Sequence, residues 1–595
     1  MKHYPYYPER SVLSLEGLWD FSFIGEDLEI DNLSERQIHY DDFMDVPMAF
    51  DATPAYAGKQ GLAAYRKFIT LAEGRKHYLK VAGMGMQNRF YIDQEEIGLC
   101  RLPYTGMTIP IPEKFNGEVE LVVLSDNRLD INKTPLFDKR TDFYSYGGFF
   151  RGIDLHSTGP LALDRVQIKT ENITKPQISA RIFFQEEVQN TEIEKICFKV
   201  CIREYNSSGK RGHTLLEIEN PNFSSQTNME FSFVLPDARI WTLDDPALYE
   251  LIVRVDDGKH SDTVIERFGI RIVGTDKGQI TLNGQPVKLL GYNRHESHPQ
   301  FGPALPYSQL VQDLQILKDL NCNFIRGSHY PQDQRFLDLC DESGFLFFEE
   351  SFSWQHNDRH FSRPDFMEDM ELQHRLMVRN SYNHPSVIMW GFLNEGDSHK
   401  ESSRQAYESC FRAIREEDRT RLITYATNHP LDDLYLELCD VISINTYPGW
   451  YEMDDEDPAE EVTRPLDRIN QEINLLIEHK NSSNHKNKPL ILSEIGAGAI
   501  YGWRDSLRSH WTEGYQEDYL ETVCTRICED DALAGVALWQ FCDGRTYQSG
   551  RAVKRPRAFN NKGTCDEYRR PKIAYTAVQR IFGAYRERSC LGTEF

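Results

Sequence analysis

Long apolar runs are missing from this sequence. No segment approaches the roughly 18 uncharged apolar residues that a membrane-crossing helix needs, and the opening MKHYPYYPERSVLSLEGLW holds one early lysine and no apolar leader core. These absences lead to the expectation of a soluble, cytoplasmic protein with no membrane partner. Positive charge is also short: 67 Lys+Arg stand against 92 Asp+Glu, a formal net charge of −25. Such a surface repels phosphate backbones, so no nucleic-acid partner is expected, and an anionic substrate would need a local cationic pocket. The twelve cysteines form no CxxC; the only close pairs, Cys197/Cys201 and Cys524/Cys528, have three residues between them. Reduced, mostly buried thiols are expected rather than a redox motif or a zinc ribbon. GxGxxG, GxxxxGK[ST] and HExxH do not occur either, so neither a dinucleotide or P-loop phosphate turn nor a metal site is spelled out.

What is present is organised in blocks. A chain of 595 residues exceeds one core and suggests several domains on the usual scale of about 150 residues each. Up to about residue 270, short β-rich runs such as KFITL, YLKVAG, NRFYID and VELVVLS alternate with turn residues, as in β-sandwiches. A break near HSTGPLAL (156–163) divides a first sandwich, residues 1–163, from a second of immunoglobulin-like size, residues 164–273, which carries RIFFQ, KICFKVCIREY, FSFVL and YELIVRV. From 274 to 595 the texture changes. Apolar runs NFIRGS, FLFFEE, VIMWGF, LITYAT, VISINT, LILSEI and GVALWQF are each separated by a helix-length segment, the βα repeat of a (β/α)8 barrel. HNDRHFSRPDFMEDM and YEMDDEDPAEEV read as polar loops.

In such a barrel the C-terminal ends of the strands form one rim, where chemistry is done. Two runs end in a carboxylate there: VIMWGFLNE at Glu395 and PLILSE at Glu494. Either alone serves equally well as a helix cap. Together they are the pair that glycoside cleavage uses, one to protonate the leaving oxygen and one to attack or to activate water. Arg326, Ser328 and His329 follow NFI, Asn445, Tyr447 and Tyr451 follow VIS, and Trp539, Asp543 and Arg545 follow GVAL. Aromatic rings suit sugar faces, and Arg, His and Tyr tune carboxylates by hydrogen bonding.

NFIRGSHYP (323–331) followed by DESGFLFF (341–348) resembles the first signature of glycoside hydrolase family 2, and NSYNHPSVIMWGFLNE (380–395) resembles its second, the acid/base signature. The resemblance covers essentially the whole chain. It implies an N-terminal sugar-binding jelly-roll β-sandwich, an immunoglobulin-like β-sandwich and a C-terminal (β/α)8 TIM barrel, with no cofactor and possible homo-oligomerisation. Carried over by position, it makes Glu395 the general acid/base and Glu494, in SEIG, the nucleophile. Asn394 would bind the sugar 2-hydroxyl, Tyr447 would orient the nucleophile, and Arg326, His329 and His295 (in GYNRHE) would support the site. The family is retaining, which implies carboxylates about 5–5.5 Å apart and a covalent glycosyl-enzyme. It further calls for a protonated Glu395, raised by burial or a like charge, beside an ionised Glu494.

Within the family the chain is most similar to bacterial β-glucuronidases. NTYPGWY (445–451) resembles their tyrosine loop, with Tyr451 at the substrate, and TDFYSYGG (141–148) a segment whose aspartate, here Asp142, reaches the sugar. NNKG (560–563) resembles the Asn-x-Lys motif for the substrate carboxylate, with Asn560 and Lys562 as its members. Arg557 is a second candidate partner for that carboxylate, and Asp142 and Trp539 are candidates for reading the sugar 4-hydroxyl. SEIGAGAIYG (493–502) departs from the better-studied pattern and looks more like relatives of varied sugar preference. The implied function is exo-hydrolysis of terminal β-D-glucuronides, with β-galacturonidase, β-galactosidase and a non-catalytic carbohydrate-binding protein as open alternatives.

Overall fold

The computed structural model describes residues 4–27, 38–130, 142–185, 195–221, 229–451, 465–547 and 555–591. The stretch after Tyr451 that the sequence suggested as a polar loop lies outside the described residues.

The first β-rich block folds as two antiparallel sheets. One has four strands (Ser11–Ser14, Ile153–Thr158, Lys76–Val81, Met107–Ile111) and the other six, with Leu62–Leu71 and Gly117–Asp126 paired at its centre. Alternation within Lys76–Val81 sends His77, Leu79 and Val81 inward, as expected of a strand with one dry face. The second block is a three-stranded sheet (Leu163–Asn172, Gln177–Phe184, Glu230–Val234) packed on a four-stranded one (Thr214–Glu219, Cys197–Glu204, Tyr249–Asp256, Ser261–Phe268). Every described cysteine is unpaired, and most are buried.

The third block closes into an eight-stranded parallel barrel. Its strands are β1 (Leu289–Arg294), β2 (Phe324–Gly327), β3 (Leu346–Glu350), β4 (Val387–Asn394), β5 (Leu422–Thr427), β6 (Ile442–Asn445), β7 (Leu490–Ile495) and β8 (Gly535–Leu538). All residues of β4 are buried, the habit of parallel strands covered on both faces. The helix Gln334–Ser343 starts on Asp333, whose side chain accepts from the Arg335 amide, and stops at Gly344 with φ of 70°. A Cβ there would lie 2.1 Å from the Leu243 carbonyl oxygen, so this stop tolerates only glycine.

Two expectations are corrected. HNDRHFSRPDFMEDM is largely helical: Asp358–Phe361 is a short helix, and Pro364 opens a helix running to Ser381 that buries Phe366 and Met370. A proline is accepted in the first turn because its missing N–H has no partner there in any case. Conversely, no α-helix separates β5 from β6, where a single 3-10 turn, Leu436–Leu438, makes the crossing.

The first sandwich is keyed into the barrel rim by buried groups. Arg151 donates through Nη2 to Glu296 (2.8 Å) and to the Pro331 carbonyl (2.7 Å), and Tyr104 stacks on Tyr330 with ring centroids 3.7 Å apart. The segment bearing Asp142 and Phe143 thereby reaches the barrel mouth, where Phe143 packs 5.2 Å from His295. No helix among the described residues is long and apolar enough to cross a membrane.

Candidate active site

At the barrel's C-terminal rim, Glu494 sits inside β7 and Glu395 stands one residue beyond the end of β4. The Glu494 carboxylate is 4 % exposed. Its Oε1 accepts from Arg326 Nη1 (2.8 Å), and its Oε2 accepts from the Tyr447 hydroxyl (2.6 Å). Glu395 has φ of 52°, which turns its side chain out of the strand direction. It accepts from Gln355 Nε2 (3.0 Å) and Asn445 Nδ2 (2.9 Å). Asn445 pairs in register with Glu494 across β6 and β7, so one amide side chain ties the two carboxylate mounts together.

Burial falls on the carboxylate opposite to the one the sequence suggested. It pushes Glu494 up to about 8, with Arg326 opposing, the negative Glu395 adding to the rise and Tyr447 opposing. The cause is placement, since Glu494 belongs to the strand and Glu395 to the loop that follows.

Arg326 is the hub under both. Its guanidinium, fully buried, forks onto Glu350 (Nε to Oε2, 2.8 Å; Nη2 to Oε1, 3.0 Å) while reaching Glu494 and the Asn394 Oδ1 (2.8 Å). Burial opposes its charge, but Glu350 and Glu494 outweigh that and hold it ionised. Burial raises Glu350 to about 7, Arg326 again opposing. His329 lies with Nδ1 3.1 Å from Glu350 Oε1 and Nε2 3.7 Å from Glu494. Burial, then the Arg326 charge, drives its imidazole well below the ordinary range, so it is neutral here. His295 is likewise neutral, through burial and then His329. Trp539 stacks on His329 (5.1 Å) and meets His295 edge-on (5.4 Å), making an aromatic wall.

Asn394 has its orientation fixed, because its Oδ1 accepts from Arg326 and from Asn445 Nδ2 (3.0 Å). The amide cannot be flipped without facing two donors with a third. Its Nδ2 is buried and has no hydrogen-bond partner among the described residues. An orphaned buried donor costs roughly 1–3 kcal/mol, and a sugar hydroxyl would satisfy it.

Beside the carboxylates lies a cationic corner. Lys562, 2 % exposed, donates to the Tyr451 hydroxyl (2.6 Å), and its Nζ lies 4.4 Å from the ring centre of Tyr451 and 5.1 Å from that of Tyr447. Burial, then the charge of Arg555, pulls this ammonium well below the ordinary lysine range. Asp142 accepts from Arg555 Nε (2.7 Å) and from Asn560 Nδ2 (3.0 Å). Arg555 also reaches the Tyr451 hydroxyl (3.3 Å). The loop is braced from below: Asp543 accepts from the Gly563 amide (2.9 Å), Asn561 Nδ2 (3.1 Å) and Lys572 Nζ (2.8 Å).

Glu395, Glu494, Asp142, His295, Arg326, His329, Asn394, Tyr447, Tyr451, Trp539, Asn560 and Lys562 thus gather around one mouth, and Asn445 joins them. Three further ones belong with them. Glu350 ends FLFFEE, so the same signal that picks Glu395 and Glu494, an apolar run closing on a carboxylate, also marks it. Gln355 follows β3 and carries no such signal. Arg555, not Arg557, points into the site: Arg557 has φ of 61° and a half-exposed side chain 3.5 Å from Glu567. Asp543 and Arg545 support neighbouring loops, Arg545 lying over the Tyr144 ring at 4.0 Å.

The barrel, its paired carboxylates and the two sandwiches define a class. The model of the glycosyl hydrolases family 2 TIM barrel domain matches residues 273–585, and the glycosyl hydrolases family 2 model matches residues 161–271. The chain belongs to glycosyl hydrolase family 2. It is 31 % identical to a β-galactosidase of Thermoanaerobacterium thermosulfurigenes over 372 residues, 60 % of this chain, and spans about half (50 %) of that relative's length. A β-glucuronidase of Bacteroides fragilis is 26 % identical over 571 residues, 90 % of this chain and 76 % of that one. The crystal structure of a GH2 β-galacturonidase from Eisenbergiella tayi bound to galacturonate superposes with a TM-score of 0.81 at 30 % identity, covering 98 % of both chains.

Proposed function

We propose that this protein is a retaining, exo-acting β-glycosidase that hydrolyses terminal β-D-glucuronides. Lys562 carries the reading. A buried ammonium with no carboxylate in contact among the described residues, beside a glycosidase carboxylate pair, is a poor arrangement for a neutral sugar and a good one for a uronate. Asn560 and Arg555 add donors next to it, and the Tyr451 hydroxyl completes the pocket.

In the first step an oxygen of Glu494 attacks C1 of the sugar, the bond from C1 to the glycosidic oxygen breaks, and Glu395 gives its proton to the departing oxygen. The reacting state has the pair's proton on Glu395. Arg326 and Tyr447 favour that state because both donate to Glu494 and so stabilise its anion. Forming the ester removes the charge from Glu494 and with it the repulsion on Glu395. Glu395 then takes a proton from water, whose oxygen attacks C1 and breaks the ester, and the sugar leaves in its original β configuration. Asn394 Nδ2 is the donor offered to the 2-hydroxyl.

A second reading is β-galacturonide hydrolysis, supported by the likeness to the galacturonate-bound structure of the Eisenbergiella protein. The two uronates differ only at C4, on the side that Asp142 and Trp539 would face. Matched kcat/KM values for p-nitrophenyl β-D-glucuronide, β-D-galacturonide and β-D-galactoside test both readings. Uronide turnover well above galactoside turnover supports the pocket, and the faster uronide assigns the epimer. A preference for the neutral galactoside refutes the uronate reading and leaves family membership standing.

A further inference from the structure

At the opposite end of β4 from Glu395, the second sandwich meets the base of the barrel across a cleft of about 340 Å³. That is the lower end of the size range for small-molecule sites, about 300–1,000 Å³, and the strand places it roughly 25 Å from the carboxylate pair at about 3.3 Å per residue. Its lining includes Lys169, Arg271, Arg419 and Arg421 against a single carboxylate, Glu171. In a chain of net charge −25, a lining of net positive charge stands out as a local exception.

Two of these guanidiniums are buried, and they are not alike. Arg421 is paired, its Nη1 lying 2.9 Å from Asp418. Arg271, 6 % exposed, is not: Nε and Nη2 donate to the carbonyls of Pro385 (3.0 Å) and Val387 (2.8 Å). Among the described residues no carboxylate lies within ion-pair distance of Arg271, and its Nη1 has no hydrogen-bond partner. Arg421 Nε donates to the same Val387 carbonyl (2.8 Å), so two like charges converge on one oxygen. Burial, then the charge of Arg421, holds Arg271 below the ordinary arginine range. Asp418 and Asp341 attract this charge only from beyond contact distance; a buried guanidinium with no carboxylate in contact is destabilising, and an anion in the cleft would offset that. Glu171 does not supply it, being engaged by Lys169 (3.0 Å) and the Ser179 hydroxyl (2.7 Å). Thr170 Oγ1 accepts from the Arg271 amide (3.3 Å), which leaves its proton to donate.

We infer that this cleft binds a phosphate-type oxyanion, free or carried on a sugar-sized molecule, with Arg271 as the buried contact and Lys169 and Arg419 on its exposed side. Guanidinium forks match the oxygens of a tetrahedral dianion, and more than one cation can reach it at once.

Calorimetry and thermal shift with inorganic phosphate and with glucose 6-phosphate, at ionic strength held constant with sodium chloride, test this on the full chain. One saturable site per chain is expected, with a rise in Tm. Binding is lost in Arg271→Gln and weakened at least tenfold in the exposed double variant Lys169→Gln/Arg419→Gln, which keeps the buried contacts and carries the test if Arg271→Gln does not fold. Equal affinities assign the site to free phosphate, and tighter glucose 6-phosphate binding to a phosphorylated sugar; both support the inference. Absence of saturable binding to either probe, or binding that survives these variants, overturns it. So does binding that disappears in Lys562→Ala, which would place the anion in the proposed uronate pocket instead.

Discussion

Replacing Lys562 with alanine removes one buried charge and leaves both carboxylates and their mounts in place. A uronate carboxylate seated near Nζ would gain about 4 kcal/mol at roughly 4 Å and an effective dielectric constant of about 20, and truncating one side of such a pair costs about 2–5 kcal/mol. Since about 1.4 kcal/mol is tenfold in rate, kcat/KM for uronides should fall by roughly 30- to 5,000-fold. The galactoside has no carboxylate, so its kcat/KM should change by less than about threefold. The pH profile gives a second readout. Burial pulls the Lys562 ammonium well below its ordinary range. In the free protein its charge is therefore lost as pH rises through that lowered value, and wild-type kcat/KM for uronides should fall there while galactoside turnover does not. In the alanine variant that alkaline limb should be missing. Equal losses on uronide and galactoside, or unchanged uronide turnover, would refute the reasoning.

Tyr447→Phe removes the 2.6 Å donor to Glu494 and should lower kcat by roughly 10- to 1,000-fold with a small change in thermal stability, measured by steady-state kinetics beside a melting curve. Glu494 is raised from the ordinary carboxylate range to about 8 by burial, so stability present below about pH 4.5 is lost as pH rises through about 8. Glu494→Gln abolishes that loss. Its Tm should meet or exceed wild type above pH 7, the gap widening from about pH 4.5 to 8; a gap that narrows with rising pH contradicts the burial argument. Arg151→Met leaves Glu296 buried without its 2.8 Å partner and should cost about 3–5 kcal/mol in denaturant unfolding.

Much of this architecture is visible in the sequence because parallel barrel strands are buried on both faces, so VIMWGF and LILSEI read as plain apolar runs. The first strand, LLGYNR, is harder to see because Asn293 and Arg294 are buried polar residues whose partners come from elsewhere: Asn293 Nδ2 donates to the Ser493 carbonyl and Arg294 binds Asp313. The helix from Pro364 hides behind charges on its solvent face, with only Phe366, Met370, Met377 and Val378 as apolar markers of the buried one. At the site, residue type and strand-end position suffice to place Glu395 and Glu494 at the rim. They do not reveal which carboxylate is deeper, because that depends on a left-handed residue at Glu395. Nor do they separate Arg555 from Arg557, two residues apart on a turn whose direction is set by packing.

The pair of carboxylates is tested most directly by trapping. Incubation with a 2-deoxy-2-fluoro-β-D-glucuronosyl fluoride, followed by proteolysis and mass spectrometry, should place one sugar on the peptide carrying Glu494, and reactivation should release it with retained β configuration. A label on any other residue, or continuing hydrolysis without a trapped sugar and with inverted product, contradicts the account.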